Sequence, residues 1–387
     1  MKDETIGVVG AGTMGQGIAQ IASQNNHKVY LYDAYPDQLG KAKHALRKIL
    51  QRQVEKERMS QEEVDGIMNR IHFVEDLTNY DECSLVIEAV IEDLDIKQDV
   101  FQRLEGIVSH DCILATNTSS LSIASISSAL KKSKRFLGIH FFNPAPIMPL
   151  VEIVPGIATS DEITQDARQQ IDKWDKTTVL AKDTPGFIVN RVARPFYSEA
   201  IRLFEEGVAD VPTIDWAMKE IGGFRMGPFE LMDFIGHDVN YKVTETVFKE
   251  FFYDPRFKPS FTQKRMVEAG WLGKKSGKGF YEYGDEADNP KPTKDEQLGQ
   301  QIVDRIVAML INEAVDAVFM NVATVEDVDL AMTKGVNYPK GLLKWAEEIG
   351  LQEVLDRITR LQTEYREDRY RPNPLLKRKV RNGETFY

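Results

Sequence analysis

Residues 6–15, IGVVGAGTMG, determine how the first half of this 387-residue chain is interpreted. Residues 6–9 are an apolar run that predicts a buried β-strand, and a helical pattern begins directly after the glycines. Gly10, Gly12 and Gly15 thus form a G-x-G-x-x-G sequence between a strand and a helix. In that context they predict a dinucleotide-binding turn, with Gly10 for the tight turn, Gly12 for the approach of a pyrophosphate and Gly15 for close helix–strand packing.

An acidic residue follows the second predicted strand, as this type of turn requires. That strand, residues 28–32, ends at Asp33, where a carboxylate can accept hydrogen bonds from the adenine ribose and repel a 2′-phosphate. Thr13 and Met14 open the helix, whose N-terminal amides and dipole favour the pyrophosphate. We therefore expect NAD rather than NADP as the cofactor. A glycine-rich structural turn is the minor alternative.

Further short apolar runs alternate with helical patterns up to about residue 184. Such bounded runs are typical of buried parallel strands, and their alternation with helices predicts an α/β fold with an N-terminal Rossmann-like doubly wound parallel sheet. The remaining predicted strands are residues 85–90, 113–116, 136–142 and 150–154. From residue 187 onward the apolar spacing is helical.

The helical half of the chain contains an internal repeat. A shift of 114 positions places residues 188–191 on residues 302–305, and Asp215 on Asp329. One register kept over so long a stretch predicts two homologous all-α domains. The predicted organisation is an NAD-binding domain (1–184), a first helical domain (185–284), a polar linker (285–297) and a second, degenerate helical copy (298–387).

Composition excludes several classes of protein. Acidic residues outnumber basic residues 60 to 49, and the net charge of −11 argues against a nucleic-acid partner. No signal pattern or membrane-length apolar run is present, so no membrane partner is expected. Two cysteines, Cys83 and Cys112, can form neither a disulfide framework nor a four-ligand zinc site. We expect a cytoplasmic protein with buried free thiols and no metal.

A histidine and a glutamate in two neighbouring apolar strands are candidate catalytic residues. His140 lies near the end of the strand 136–142, where α/β sheets bind ligands. Glu152 lies in the otherwise apolar strand 150–154, and a buried carboxylate needs a partner. A His–Glu pair would satisfy Glu152 and orient the imidazole as a base. The alternative is an edge strand with Glu152 in water.

Polar side chains also follow the strand 113–116. Residues 117–120, NTSS, have short hydroxyl and amide groups that can bind a substrate oxygen. They can equally cap the next helix, which is the usual role of such residues.

Six ordered motifs between residues 6 and 283 make the chain similar to the L-3-hydroxyacyl-CoA dehydrogenases, including 3-hydroxybutyryl-CoA enzymes. The motifs are GAGTMGQGIA, ATNTSSLSI, GIHFFNPAPIMPLVEI, KDTPGFIVNR, MGPFELMDFIG and GKKSGKGFYEY. The resemblance implies reversible NAD-dependent oxidation of an (S)-3-hydroxyacyl-CoA to the 3-ketoacyl-CoA. Two rival functions remain at this point: a related dehydrogenase of free hydroxy acids without CoA, and a non-catalytic NAD-binding protein.

The resemblance also assigns roles to individual residues. It implies that His140 is the catalytic base with Glu152 as its partner, and that Ser119 and Asn190 lie near the substrate's C3 oxygen. It implies contacts to the nicotinamide half of NAD from Glu92, Lys97 and Asn143. The resemblance also implies that the charged helix after Asp33 contacts CoA. Arg52 is the candidate contact on it, and a solvated helix face is the alternative.

The second helical copy is expected to be structural. It has Asp304 where the first copy has Asn190, and it lacks the MGPFEL motif. In relatives with one helical domain that domain is where two subunits meet, and a tethered copy has a high effective concentration for the partner's place. We therefore expect an intramolecular pseudo-dimer of helical domains, in a chain that is a monomer or a homodimer.

Overall fold

The computed structural model describes residues 4–387. The chain divides between Thr184 and Pro185 into two compact units. The first unit is an α/β domain and the second is built of helices. The predicted fold class is confirmed.

The first unit contains one eight-stranded sheet. Its strand order is β3-β2-β1-β4-β5-β6-β7-β8, in which the first six strands are parallel and have the doubly wound order. The strands are β1 (Thr5–Val9), β2 (Lys28–Tyr32), β3 (Ile71–Val74), β4 (Cys83–Glu88), β5 (Ile113–Thr116), β6 (Phe136–Phe141), β7 (Leu150–Pro155) and β8 (Thr177–Leu180).

The direction of β7 corrects the prediction of a parallel sheet. β7 is antiparallel to β6, and β8 is parallel to β7. Only residues 142–149 connect β6 to β7, whereas a parallel crossover needs about a dozen residues or more. The short connection therefore requires the antiparallel pairing, and it places residues of β6 directly opposite residues of β7.

Helices connect the strands of the first unit and bury apolar residues against them. Ile6 and Val8 of β1 and Ile18 of the first helix are fully buried in one core cluster. The helices are α1 (Thr13–Gln24), α2 (Pro36–Glu55), α3 (Gln61–Arg70), α4 (Leu94–Glu105), α5 (Ile123–Ser127) and α6 (Asp161–Asp172).

The second unit consists of helices. They are α7 (Val189–Val192), α8 (Arg194–Glu205), α9 (Val211–Trp216), α10 (Pro228–Ile235), α11 (His237–Glu250), α12 (Phe261–Glu268), α13 (Glu296–Phe319), α14 (Val325–Leu330), α15 (Leu342–Ile349), α16 (Leu351–Tyr365) and α17 (Pro374–Asn382). α13 begins at Glu296, so two residues of the predicted linker are helical.

Details of the two halves of this unit correspond at the spacing of the sequence repeat. Asp215 accepts hydrogen bonds from the amides of Phe229 and Glu230 and from the Tyr281 hydroxyl. Asp329 accepts them from the amides of Leu343 and Lys344 and from the Tyr387 hydroxyl. A π-helical turn follows α9 at Ala217–Ile221 and α14 at Ala331–Gly335.

Two matched charge networks join the halves. Arg191 Nε lies 2.9 Å from Glu313 Oε1, and Arg305 Nε lies 3.0 Å from Glu199 Oε2. The two pairs are related by the 114-residue shift, and all four side chains are buried. Arg256 joins the first network through Glu313. The first pair joins α7 to α13 and the second joins α8 to α13, so both helices of the first half pack on α13 through reciprocal ion pairs in addition to its apolar face.

We predict that Glu313→Gln lowers the free energy of unfolding by about 3 kcal/mol, because it removes the buried carboxylate that Arg191 and Arg256 share and leaves their network with an excess of positive charge. Urea unfolding followed by circular dichroism measures the change. The control is Glu268→Gln, which removes an exposed partner of Lys264 and should cost about 0.5 kcal/mol or less. Equal effects of the two substitutions would contradict the structural role of the network.

Candidate active site

The glycine turn between β1 and α1 has the geometry of a phosphate-binding loop. Gly10 has a φ of 105°, and a Cβ atom there would lie 2.5 Å from the carbonyl oxygen of Ala89. A Cβ on Gly15 would lie 1.7 Å from the carbonyl oxygen of Gly10. A Cβ on Gly12 would meet nothing within 4 Å, so the space over this residue is open. The open space lies at the N-terminus of α1, where anions are favoured.

Thr13 and Met14 are the first two residues of α1, as the motif requires. Asp33 lies directly after β2 and is tied to the glycine turn: its Oδ2 accepts a hydrogen bond of 2.8 Å from the Ala11 amide. Its Oδ1 accepts one of 2.9 Å from the Tyr35 amide. Both bonds hold the carboxylate beside the turn, which fits the ribose end of a dinucleotide.

His140 and Glu152 form a buried pair. They lie directly opposite each other in the β6–β7 ladder, and His140 Nδ1 is 2.6 Å from Glu152 Oε2. Glu152 is fully buried and its strand lies between β6 and β8, so the alternative of a water-facing edge strand is wrong. The antiparallel register creates the pair, because it places the two side chains on one face at a single rung.

A second polar cluster, the Glu88 cluster, begins at the last residue of β4. The Lys97 ammonium lies 2.6 Å from Glu88 Oε1 and 3.3 Å from Glu92 Oε2, and Glu88 and Lys97 are buried. Glu92 accepts further hydrogen bonds from the Thr118 hydroxyl and from the amide and hydroxyl of Ser120. The Lys97 charge and these hydrogen bonds outweigh desolvation and lower the pKa of Glu92.

The cluster brings together residues for which the sequence analysis predicted different contacts. Glu92 and Lys97 are brought together with the segment that contains Ser119, whose amide donates to Glu92 Oε1 at 3.1 Å. Glu88 was missed, although a carboxylate within an apolar strand was the very signal that identified Glu152. Because Glu88 anchors Lys97, it fixes the position of Glu92 at the end of β4.

Residues 117–120 do not cap the next helix. The N-cap of α5 is Ser122, whose hydroxyl accepts a hydrogen bond from the Ser125 amide. Asn117 instead accepts a hydrogen bond from the Phe141 amide, which ties the end of β5 to the end of β6. The alternative of a capping role for this segment is therefore wrong.

Three further candidate residues belong to other elements of the chain. Asn143 is exposed and precedes a cis peptide bond to Pro144, and it lines a cleft of about 610 Å³ in the first unit. Arg52 is exposed on α2 and is not among the residues that line this cleft, whereas Arg58 is. Asn190 lies in the second unit, on α7.

Two negative expectations concern metals and membranes. Among residues 4–387, no cluster of histidine, cysteine and carboxylate side chains could hold a metal ion. Within the same residues, no helix is long and apolar enough to cross a membrane. Both cysteines are buried free thiols, and desolvation raises the pKa of Cys112 to about 12.

Comparison with known families shows to which family the chain belongs. Residues 5–184 match the model of the NAD-binding domain of 3-hydroxyacyl-CoA dehydrogenase. Residues 186–283 and 302–385 both match the model of the C-terminal domain of that enzyme. The chain belongs to the 3-hydroxyacyl-CoA dehydrogenase family.

Individual family members extend this result. The 3-hydroxyadipyl-CoA dehydrogenase of Escherichia coli K12 is 36% identical over 97% of both chains. The crystal structure of a 3-hydroxybutyryl-CoA dehydrogenase from Escherichia coli K12 has a TM-score of 0.94 at 35% identity and covers 99% of both chains. The 3-hydroxybutyryl-CoA dehydrogenase of Bradyrhizobium diazoefficiens, 39% identical, aligns over 98% of its own length but only 75% of this chain.

The cofactor of the family is NAD, and the glycine turn fits its pyrophosphate. We predict that Gly12→Ala weakens NADH binding at least tenfold, because the new methyl group fills the open space at the N-terminus of α1. Titration of NADH fluorescence measures the affinity.

Gly40→Ala on α2 is the matched control, since a Cβ there also meets nothing within 4 Å and the residue lies outside the turn. This control should bind NADH like the unmodified protein. An unchanged NADH affinity in Gly12→Ala would show that the pyrophosphate lies elsewhere.

Proposed function

We propose that this chain catalyses the reversible NAD-dependent oxidation of an (S)-3-hydroxyacyl-CoA to the 3-ketoacyl-CoA, with His140 as the general base. The observation that carries the proposal is the buried His140–Glu152 pair at the carboxyl end of β6. Family membership supports the reaction and the CoA substrate. The named relatives act on hydroxybutyryl and hydroxyadipyl thioesters, which share the reacting C3 centre.

The two residues of the pair have different tasks. Glu152 binds Nδ1 and thereby sets the orientation of the imidazole and stabilises its positive charge. His140 then removes the C3 hydroxyl proton through Nε2 and returns it in the reverse reaction. NAD, when bound, accepts the hydride from C3.

Other residues position the reactants. By motif, Ser119 and Asn190 bind the C3 oxygen, and Glu92, Lys97 and Asn143 contact the nicotinamide half of NAD. The hydrogen bonds that fix Glu92 support this assignment, because a positioning group must itself be held. Arg52 remains the proposed contact to CoA.

The helical copies form, in this proposal, an intramolecular pseudo-dimer. The reciprocal pairs of Arg191 with Glu313 and Arg305 with Glu199 support it, since a two-fold interface repeats each contact. The domain bounds 185–284 and 298–387 belong to the same proposal, as does a monomer or homodimer with one active site per chain. The two buried thiols favour the reducing cytoplasm.

We predict that His140→Ala lowers kcat for acetoacetyl-CoA reduction by about 10²- to 10⁴-fold, because the proton donor is lost. NADH absorbance measures turnover, and NADH fluorescence should show retained binding. Glu152→Gln keeps the imidazole and should lower kcat less than His140→Ala does.

The control for this substitution is His110→Ala, which removes an exposed histidine of the same unit and should leave kcat unchanged. Near-normal kcat in the folded His140→Ala protein would overturn the proposed mechanism.

We predict a strong preference for NADH over NADPH that Asp33→Ser reduces, since the substitution removes the carboxylate that repels a 2′-phosphate. The ratio of kcat/KM for the two coenzymes measures the preference. Asp37→Ser, in the first turn of α2, is the control and should leave the ratio unchanged. Equal use of both coenzymes by the unmodified protein would contradict this role of Asp33.

A further inference from the structure

A buried arginine in the second unit lacks a counter-charge. Arg194, the first residue of α8, is 6% exposed, and its Nη1 donates a 3.2 Å hydrogen bond to the Thr244 hydroxyl. Its Nε is buried without a hydrogen-bond partner. No carboxylate lies within ion-pair distance of it among the described residues. Burial lowers the pKa of Arg194, which shows that the surroundings disfavour its charge.

The other buried arginines of this unit are different. Arg191 pairs with Glu313, Arg305 with Glu199, and Arg369 lies 3.7 Å from Glu199. An unpaired buried charge is strongly destabilising, so a chain that keeps one at Arg194 is expected to use it.

A second unsatisfied group lies near Arg194. The Tyr338 hydroxyl is buried and has no hydrogen-bond partner in the described part of the chain. Tyr197 and Tyr338 are the ionisable side chains beside the Arg194 guanidinium, which lies over the Tyr197 ring at 4.9 Å, and burial raises the pKa of both tyrosines, so neither supplies a negative charge. A guanidinium cation with one unpartnered N–H and an unpartnered tyrosine hydroxyl thus occupy a single buried region. An anion with several acceptor oxygens is the ligand that would satisfy all of them.

The place of Arg194 in the chain relates it to the proposed substrate site. It follows Asn190 by four residues, and only Ala193, with helical φ and ψ of −78° and −9°, separates α7 from α8. Residues at this spacing have Cβ atoms about 5–6 Å apart on a helix. In a 3-hydroxydicarboxylyl group of six carbons, the second carboxylate lies three carbon atoms beyond C3. The distance from C3 to this carboxylate is comparable to the spacing of the two Cβ atoms.

We propose that Arg194, assisted by Thr244 and Tyr338, binds the distal carboxylate of a 3-hydroxydicarboxylyl-CoA, so that acyl groups ending in a carboxylate are preferred over acyl groups ending in a methyl. The inference rests on the proposed function, in which Asn190 binds the C3 oxygen. A carboxylate in this region would supply the missing counter-charge and the missing acceptors. A methyl-ended acyl group would leave both buried donors unsatisfied.

The test compares 3-hydroxyadipyl-CoA with 3-hydroxybutyryl-CoA, which share the reacting centre and differ in the tail. The unmodified protein should have the higher kcat/KM for the adipyl thioester. Arg194→Met should lower kcat/KM for that substrate by about 10- to 100-fold, as expected for loss of a hydrogen bond to a charged group. It should leave kcat/KM for the butyryl thioester within about threefold.

Two further variants separate recognition from folding. Tyr338→Phe removes one hydroxyl and should lower kcat/KM for the adipyl thioester alone, which keeps the proposal testable if Arg194→Met is unstable. Arg202→Met, on the same helix, is the control. It replaces an arginine that pairs with Glu367 at 3.2 Å, and it should leave kcat/KM for both thioesters unchanged.

The outcomes are distinct. Equal losses for both thioesters in Arg194→Met and Tyr338→Phe would show a structural role and overturn the proposal, as would a preference of the unmodified protein for the butyryl thioester. No NAD-linked oxidation of either thioester would overturn the proposed function itself.

Discussion

A charge that is buried without a partner destabilises a protein, and the pairing of buried charges determines much of the architecture of this chain. An unpaired buried carboxylate or guanidinium costs several kcal/mol, whereas a paired one is held in a single geometry by its partner. Glu152 is held by His140, Glu88 by Lys97 and Glu199 by Arg305. Each of these pairs fixes something beyond itself: the orientation of the His140 imidazole, the position of Glu92, and the packing of α8 on α13. The pairing of buried charges thus fixes side-chain positions both in the candidate site and in the helical unit.

The repeat shows the same constraint applied twice. Asp215 and Asp329 are both buried, and both accept two backbone amides and one tyrosine hydroxyl. Desolvation raises the pKa of Asp215 to about 7 despite these bonds. The copies differ where the first helix is interrupted at Ala193, while the equivalent part of α13 is continuous. The second copy thus repeats the buried polar contacts of Asp215 at Asp329, although it has Asp304 at the position of Asn190.

Sequence patterns predicted the parts of the site that depend on local chemistry. The glycine turn with Asp33 follows from spacing, and the partnership of His140 with Glu152 follows from the cost of a lone carboxylate in an apolar strand. The antiparallel direction of β7 was missed because the run of apolar residues carries no sign of direction. The length of the connection 142–149 carried that information. The pairing of Lys97 with Glu88 depends on tertiary packing, and sequence spacing alone does not predict such a pair. The roles of Ser119, Asn190 and Arg52 rest on motif alone.

The second helical copy has a further consequence for the enzyme. Tyr338 belongs to that copy, yet its ring packs 5.6 Å from Phe196 and 5.0 Å from Phe224 of the first. The loop after the π-helical turn of the second copy therefore forms part of the surroundings of Arg194. A dehydrogenase with one helical domain would need a second subunit to supply such a residue. Tethering the copy makes this position independent of its twin, because a substitution in one copy no longer appears in both. The copy that lost Asn190 and the MGPFEL motif thus retains a route to influence which acyl group is accepted.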